Sequence, residues 1–197
     1  AKTFGEVSDN YPKHEVSADA RLQQGTILHK SGRFAEAQKA LENFIATYVG
    51  DKRIDQANYQ LGLTLMEQKL WQPALVNFSK VLKQSVWRDK AVYQSAWCEK
   101  RAGRKLVAIG YYKELLVAHK NSPLVNPTIL ELAELEFEGE NYDDAISRLT
   151  KFMESNPEQS LKIRAQYRLG WCFYGKKQYD KAAELYESAL PAVPQEL

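Results

Sequence analysis

Five glutamates crowd one short stretch of the chain: Glu131, Glu134, Glu136, Glu138 and Glu140. On a helix Glu134 and Glu138 share a face, and two facing carboxylates are what glycosidic-bond hydrolysis requires. That chemistry also needs environments that drive the two pKa values apart. Nothing in the sequence shields one carboxylate or separates the pair, so the run reads as a solvated helix face. The histidines His14, His29 and His119 are scattered, with no carboxylate or cysteine at metal-ligand spacing. No phosphate-binding glycine loop, nucleophile elbow or Ser/His/Asp arrangement occurs. The sequence therefore predicts no catalytic residue, no metal and no cofactor, and a protein that is not an enzyme.

The 197 residues carry 27 Lys plus Arg against 25 Asp plus Glu, a net charge of +2. That near-balance gives no reason to expect a phosphate backbone as the main partner, so no nucleic acid is predicted. The charges are interspersed, as on solvated helix faces. No apolar run approaches the roughly 18 residues that span a bilayer, and no signal peptide opens the chain, so no direct membrane insertion is expected. With 44% hydrophobic residues the chain can bury a core.

The elements come from a repeat. Small residues recur at Gly25, Gly62, Ala96, Ala133 and Gly170, at intervals of 37, 34, 37 and 37 residues. Twelve positions after each comes an alanine: Ala37, Ala74, Ala108, Ala145 and Ala182. Four later stands Leu41, Phe78, Tyr112, Leu149 or Tyr186. Apolar residues three or four apart on either side of a polar break describe two amphipathic helices per unit. The small residue lets two helix backbones approach, where a larger side chain would cost about 1–3 kcal/mol of overpacking. Turn chemistry marks the breaks at Lys30-Ser31-Gly32-Arg33, Ala102-Gly103-Arg104 and Glu138-Gly139-Glu140-Asn141.

One hairpin cannot bury its apolar face alone, so each must lean on the next. The predicted fold is all-α, an α-solenoid of antiparallel helix hairpins near 17–48, 51–84, 88–119, 125–154 and 159–192, with a concave face made mainly by first helices.

The pattern Leu-Gly-x-x-aromatic, Ala-x-x-x-aromatic, then Ala and Pro resembles the tetratricopeptide repeat, most fully at Leu169, Gly170, Phe173, Ala182, Tyr186, Ala189 and Pro194. The resemblance implies a right-handed solenoid of about five units over residues 1–197, as a single domain. Glu99 and Glu136 replace an aromatic late in the first helix, and Gln24 and Ser95 replace the leucine before the small residue. Those units are expected to pack less tightly or to show these side chains to a partner. Residues 1–12 read as the second helix of a preceding repeat, because Phe4, Val7 and Pro12 share the spacing of Leu149, Phe152 and Pro157. The chain thus reads as a fragment of a longer repeat protein. Its repeat style is similar to bacterial cell-envelope proteins of the outer-membrane-assembly lipoprotein and Tol–Pal coordinator kinds, which implies a periplasm or cell-envelope location.

In tetratricopeptide proteins the inner groove is lined by first-helix positions. Carried onto this register, they are Leu22, Thr26 and His29; Tyr59, Leu63 and Met66; Tyr93, Trp97 and Lys100; Leu130, Glu134 and Phe137; and Tyr167, Trp171 and Tyr174. Lys90, Arg101 and Arg164 are candidates to flank this stripe. The tyrosines Tyr59, Tyr93 and Tyr167 also suit packing between neighbouring helices, whereas Trp97 and Trp171 read as facing the groove. Cys98 and Cys172 share one register position, two repeats apart, which exceeds the roughly 7 Å Cα limit of a disulfide. They read as inert core thiols.

Aromatic and Arg side chains on one face suit a protein or peptide partner. The expected function is a non-catalytic protein–protein interaction scaffold binding a peptide or partner domain in the concave groove, with self-association possible. A helical-repeat reader of single-stranded RNA is the alternative. The aromatic stripe fits base stacking, but the near-neutral charge and Glu134 and Glu138 oppose it.

Overall fold

The computed structural model describes residues 15–189, which form ten α-helices and no strand. The expected helix at 1–12 and Pro194 lie outside the described residues. The helices are α1 (Glu15–Lys30), α2 (Phe34–Thr47), α3 (Ile54–Glu67), α4 (Trp71–Ser79), α5 (Arg88–Arg101), α6 (Lys105–Ala118), α7 (Val125–Glu138), α8 (Tyr142–Glu154), α9 (Gln159–Gly175) and α10 (Tyr179–Ala189). They fall into two compact units, one through Ala108 and one from Ile109 onward. Within the first, α1 to α5 pack in chain order, and the first helices touch their successors, α1 on α3 and α3 on α5. Within the second, α7 to α10 do the same, with α7 against α9.

Every hairpin turns by one device. The backbone N–H five residues on closes back to a carbonyl at the helix end: Arg33 to Leu28 at 3.0 Å, Leu70 to Leu65 at 2.9 Å, Arg104 to Glu99 at 2.9 Å, Asn141 to Glu136 at 2.8 Å and Gln178 to Phe173 at 2.9 Å. This closure needs a left-handed residue just before it. That place is held by Gly32 and Gly103, but also by Lys69, Glu140 and Lys177, each at φ 60°. In the fourth turn Gly139 sits at φ −91°, so the strained slot falls on the residue after the glycine.

The small-to-bulky spacing has a direct physical basis. A β-carbon at Gly25 would stand 2.6 Å from Leu41, and one at Gly170 would stand 2.5 Å from the Tyr186 ring; Gly62 meets Phe78 at least as closely. In these three repeats the second helix therefore drives its large side chain against the backbone of the first. In the fourth repeat Ala133 and Leu149 fill the same places in one buried cluster.

Two expectations need correction. Glu99 and Glu136 neither loosen their repeats nor face a partner: they are buried, 7% and 5% exposed. Each is held by an arginine of its own repeat, Arg104 and Arg148 respectively. Burial of a carboxylate is tolerable when a guanidinium supplies charge and hydrogen bonds together. Ser95 is buried as well, its hydroxyl donating to the Ala91 carbonyl at 2.9 Å, while the Gln24 side chain accepts from Arg21 at 3.0 Å. Second, α4 stops at Ser79 rather than near 84. The repeat with the 34-residue interval thus takes its deletion from the second helix. There the chain leaves in tight turns, with the Leu82 N–H donating to Asp55 at 3.1 Å and Val81 still buried.

Candidate functional site

In the first unit most proposed groove residues meet the protein itself. Tyr59 is 8% exposed, its ring 5.9 Å from Phe78 and 5.3 Å from Trp87. Burial raises its phenol pKa above the usual value, a hydrogen bond from Gln94 opposing. Met66 and Leu63 pack against the same cluster, and Leu22 is buried in it. His29 is half-buried, its Nδ1 3.1 Å from the Thr64 hydroxyl. Because that hydroxyl already donates to the Gln60 carbonyl at 2.8 Å, the imidazole N–H is the donor. Thr26 donates to the Leu22 carbonyl. Trp97 is half-buried, with the Arg101 guanidinium over its ring at 4.3 Å, and Lys90 lies over Trp87 at 4.6 Å. Tyr93 and Lys100 are half-buried and engaged within the chain.

In the second unit the stripe opens outward. Tyr167, Trp171 and Tyr174 are 53%, 41% and 53% exposed. A pocket of about 490 Å³ lies between α7 and α9. Ala133, Glu134, Phe137 and Glu138 form its α7 side, and Tyr167 and Trp171 form its α9 side with Arg164 and Arg168. Leu130, another groove position, is fully buried. The rings form a ladder: Tyr167 to Trp171 at 6.2 Å, Trp171 to Tyr174 at 5.7 Å and Tyr174 to Tyr179 at 5.3 Å. The interplanar angles are 83°, 74° and 63°. Edge-to-face geometry leaves ring faces uncovered, and Tyr186 backs both Tyr167 and Trp171.

The electrostatics of this pocket are uneven. Arg168 donates to Glu134 at 2.9 Å, so those charges offset each other across the groove. Glu138 takes part in an interaction within the chain. Arg164 is exposed and makes no ion pair with any described residue. Among the flanking cations proposed from sequence, Lys90 and Arg101 lie over tryptophans, and Arg164 alone lines this pocket.

One periodic signal went unread in the sequence. In three of the five repeats the residue four after the small position reaches across the turn to the first residue of the second helix: His29 to Phe34 and Phe137 to Tyr142 at 5.6 Å each, Tyr174 to Tyr179 at 5.3 Å. The aromatic at the second helix start could have revealed it. The Arg168–Glu134 pair, 34 residues apart, was also missed, because it depends on how two successive first helices lie side by side.

Neither cysteine offers chemistry. Burial, with Glu99 adding, pushes the Cys98 thiol up to about 12, and burial pushes Cys172 up to about 11. Among the described residues no group of three His, Cys, Asp or Glu is placed to hold a metal, and no helix is long and apolar enough to cross a membrane.

A family model described as tetratricopeptide repeat matches residues 22–85 and 130–196. No curated protein sequence matches significantly. Similar solved structures include MamA from Desulfovibrio magneticus, 19% identical, with 89% of this chain and 94% of that one covered and a TM-score of 0.73. YrrB, a TPR protein with an unusual peptide-binding site, is 16% identical, with 98% and 93% covered and a TM-score of 0.72. The TPR-like repeats of a putative kinesin light chain from Podospora anserina are 15% identical, with 91% and 96% covered and a TM-score of 0.73. At these identities the likeness is one of fold.

Proposed function

Because this chain belongs to the tetratricopeptide repeat family, we propose that it is a non-catalytic interaction scaffold that holds an extended segment of a partner protein between α7 and α9. The observation that carries this reading is the pocket of about 490 Å³ bordered by exposed Tyr167 and Trp171. Its size falls in the roughly 300–1,000 Å³ range of ligand sites. Large rigid rings that border a pocket while still facing solvent are the residues that dominate binding energy at protein interfaces. YrrB, with its peptide-binding site, lends support to the reading. We further propose, from the repeat style alone, that it works in the bacterial periplasm or cell envelope, which fractionation of the source cells would check.

The test is a random dodecapeptide library displayed against the chain, with selected peptides titrated by fluorescence anisotropy. Tyr167→Ala with Trp171→Ala is expected to weaken binding by about thirtyfold or more, since a hot-spot truncation costs about 2 kcal/mol or more. Helical circular dichroism should persist, because both rings are partly solvated. Undiminished binding by the double variant would sink the assignment. Tight, steeply salt-dependent binding of single-stranded RNA would instead favour a stacking platform.

A further inference from the structure

The charges bordering the groove specify its partner more closely, provided the groove reading above holds. Hairpin α7–α8 carries eight acidic and two basic residues, and hairpin α9–α10 carries six basic and three acidic. Much of this opposition is spent where the hairpins meet: Arg168 on Glu134 and Lys176 on Asp143. Glu131 and Glu138 are also engaged within the chain. Of the two arginines that line the pocket, Arg168 is paired with Glu134, whereas Arg164 is exposed and without an ion pair among the described residues. Ala133, Phe137 and Trp171 supply apolar lining to the same pocket.

We infer that the partner is an extended peptide carrying an Asp or Glu beside a bulky apolar side chain. The apolar group sits on the Trp171 and Phe137 rings, and the neighbouring carboxylate is taken by Arg164. A planar guanidinium pairs two carboxylate oxygens at once, and over an apolar surface that pair is less screened than in bulk water. A cationic partner is disfavoured by the same arrangement. It would meet Arg164 directly and would compete with Arg168 for Glu134.

The experiment repeats the dodecapeptide selection on three full chains: wild type, Arg164→Gln and Arg164→Glu. Arg164 is exposed and makes no ion pair among the described residues, so both variants are expected to fold, and circular dichroism checks this. Peptides selected by wild type should be enriched in Asp or Glu within two residues of an aromatic or branched aliphatic anchor. Arg164→Gln should lose that enrichment and bind the same peptides about tenfold more weakly, in line with a charge-assisted hydrogen bond. Arg164→Glu should turn the preference toward Lys or Arg while keeping the apolar anchor. Peptides that need Trp171 but show no acidic enrichment would overturn this inference and leave the scaffold reading standing. So would an acidic enrichment that Arg164→Gln retains. If no peptide binds wild type, both readings fall together.

Discussion

Arg148 holds the buried Glu136 carboxylate with both arms of its guanidinium, Nε donating to Oε2 at 2.9 Å and Nη2 to Oε1 at 2.6 Å. Glu136 stands where the repeat pattern carries an aromatic, so an ion pair occupies a packing position. Removing one member strands the other, and Arg148→Ala is expected to cost about 3 kcal/mol. Replacing both, as Glu136→Phe with Arg148→Leu, should come within about 1 kcal/mol of wild type or exceed it. Urea titrations of both variants decide the point; equal losses would show that the pair is not acting as a unit.

Glu140 and Lys69 occupy left-handed turn slots at φ 60°. A side chain there costs about 1–2 kcal/mol relative to glycine, offset in part by the freedom glycine adds to the unfolded chain. Lys69→Gly and Glu140→Gly should therefore raise stability by about 0.5–1 kcal/mol each. Thermal melts would show the midpoint rising. A fall would mean that the side chains contribute contacts outweighing the backbone strain.

The thiols give a probe of core integrity. Cys98 and Cys172 are fully buried, and their thiolates are disfavoured at neutral pH. Neither should react with Ellman's reagent in the folded protein, and both should react at once in urea. Rapid labelling of either in the native state would contradict its place in the core.

Stability should depend on pH through His29. Burial lowers its pKa below the ordinary 6.5, against a smaller upward pull from Glu67. The unfolded chain therefore takes up the proton first. The neutral imidazole gives its full stabilisation above pH 6.5, and that contribution is lost as pH falls through the lower folded value. His29→Gln should flatten the slope of stability against pH in that window. An unchanged slope would assign it to other groups.

The repeat was legible from residue spacing. Spacing of small and bulky residues placed five hairpins and marked four of the five second helices to within a few residues of their ends, because these features depend on contacts within one hairpin. Which stripe residues are available depends on packing between repeats and turns. Tyr59 and Tyr167 hold the same register position, yet Trp87 and Phe78 cover Tyr59 whereas Tyr167 stays open to solvent. Tertiary packing also decided that Glu99 and Glu136 are internal, since the arginines that make their burial tolerable stand at different offsets, five and twelve residues on. Periodicity reports which face of a helix a residue is on. How much of that face remains uncovered is set by the side chains that neighbouring helices and turns lay across it.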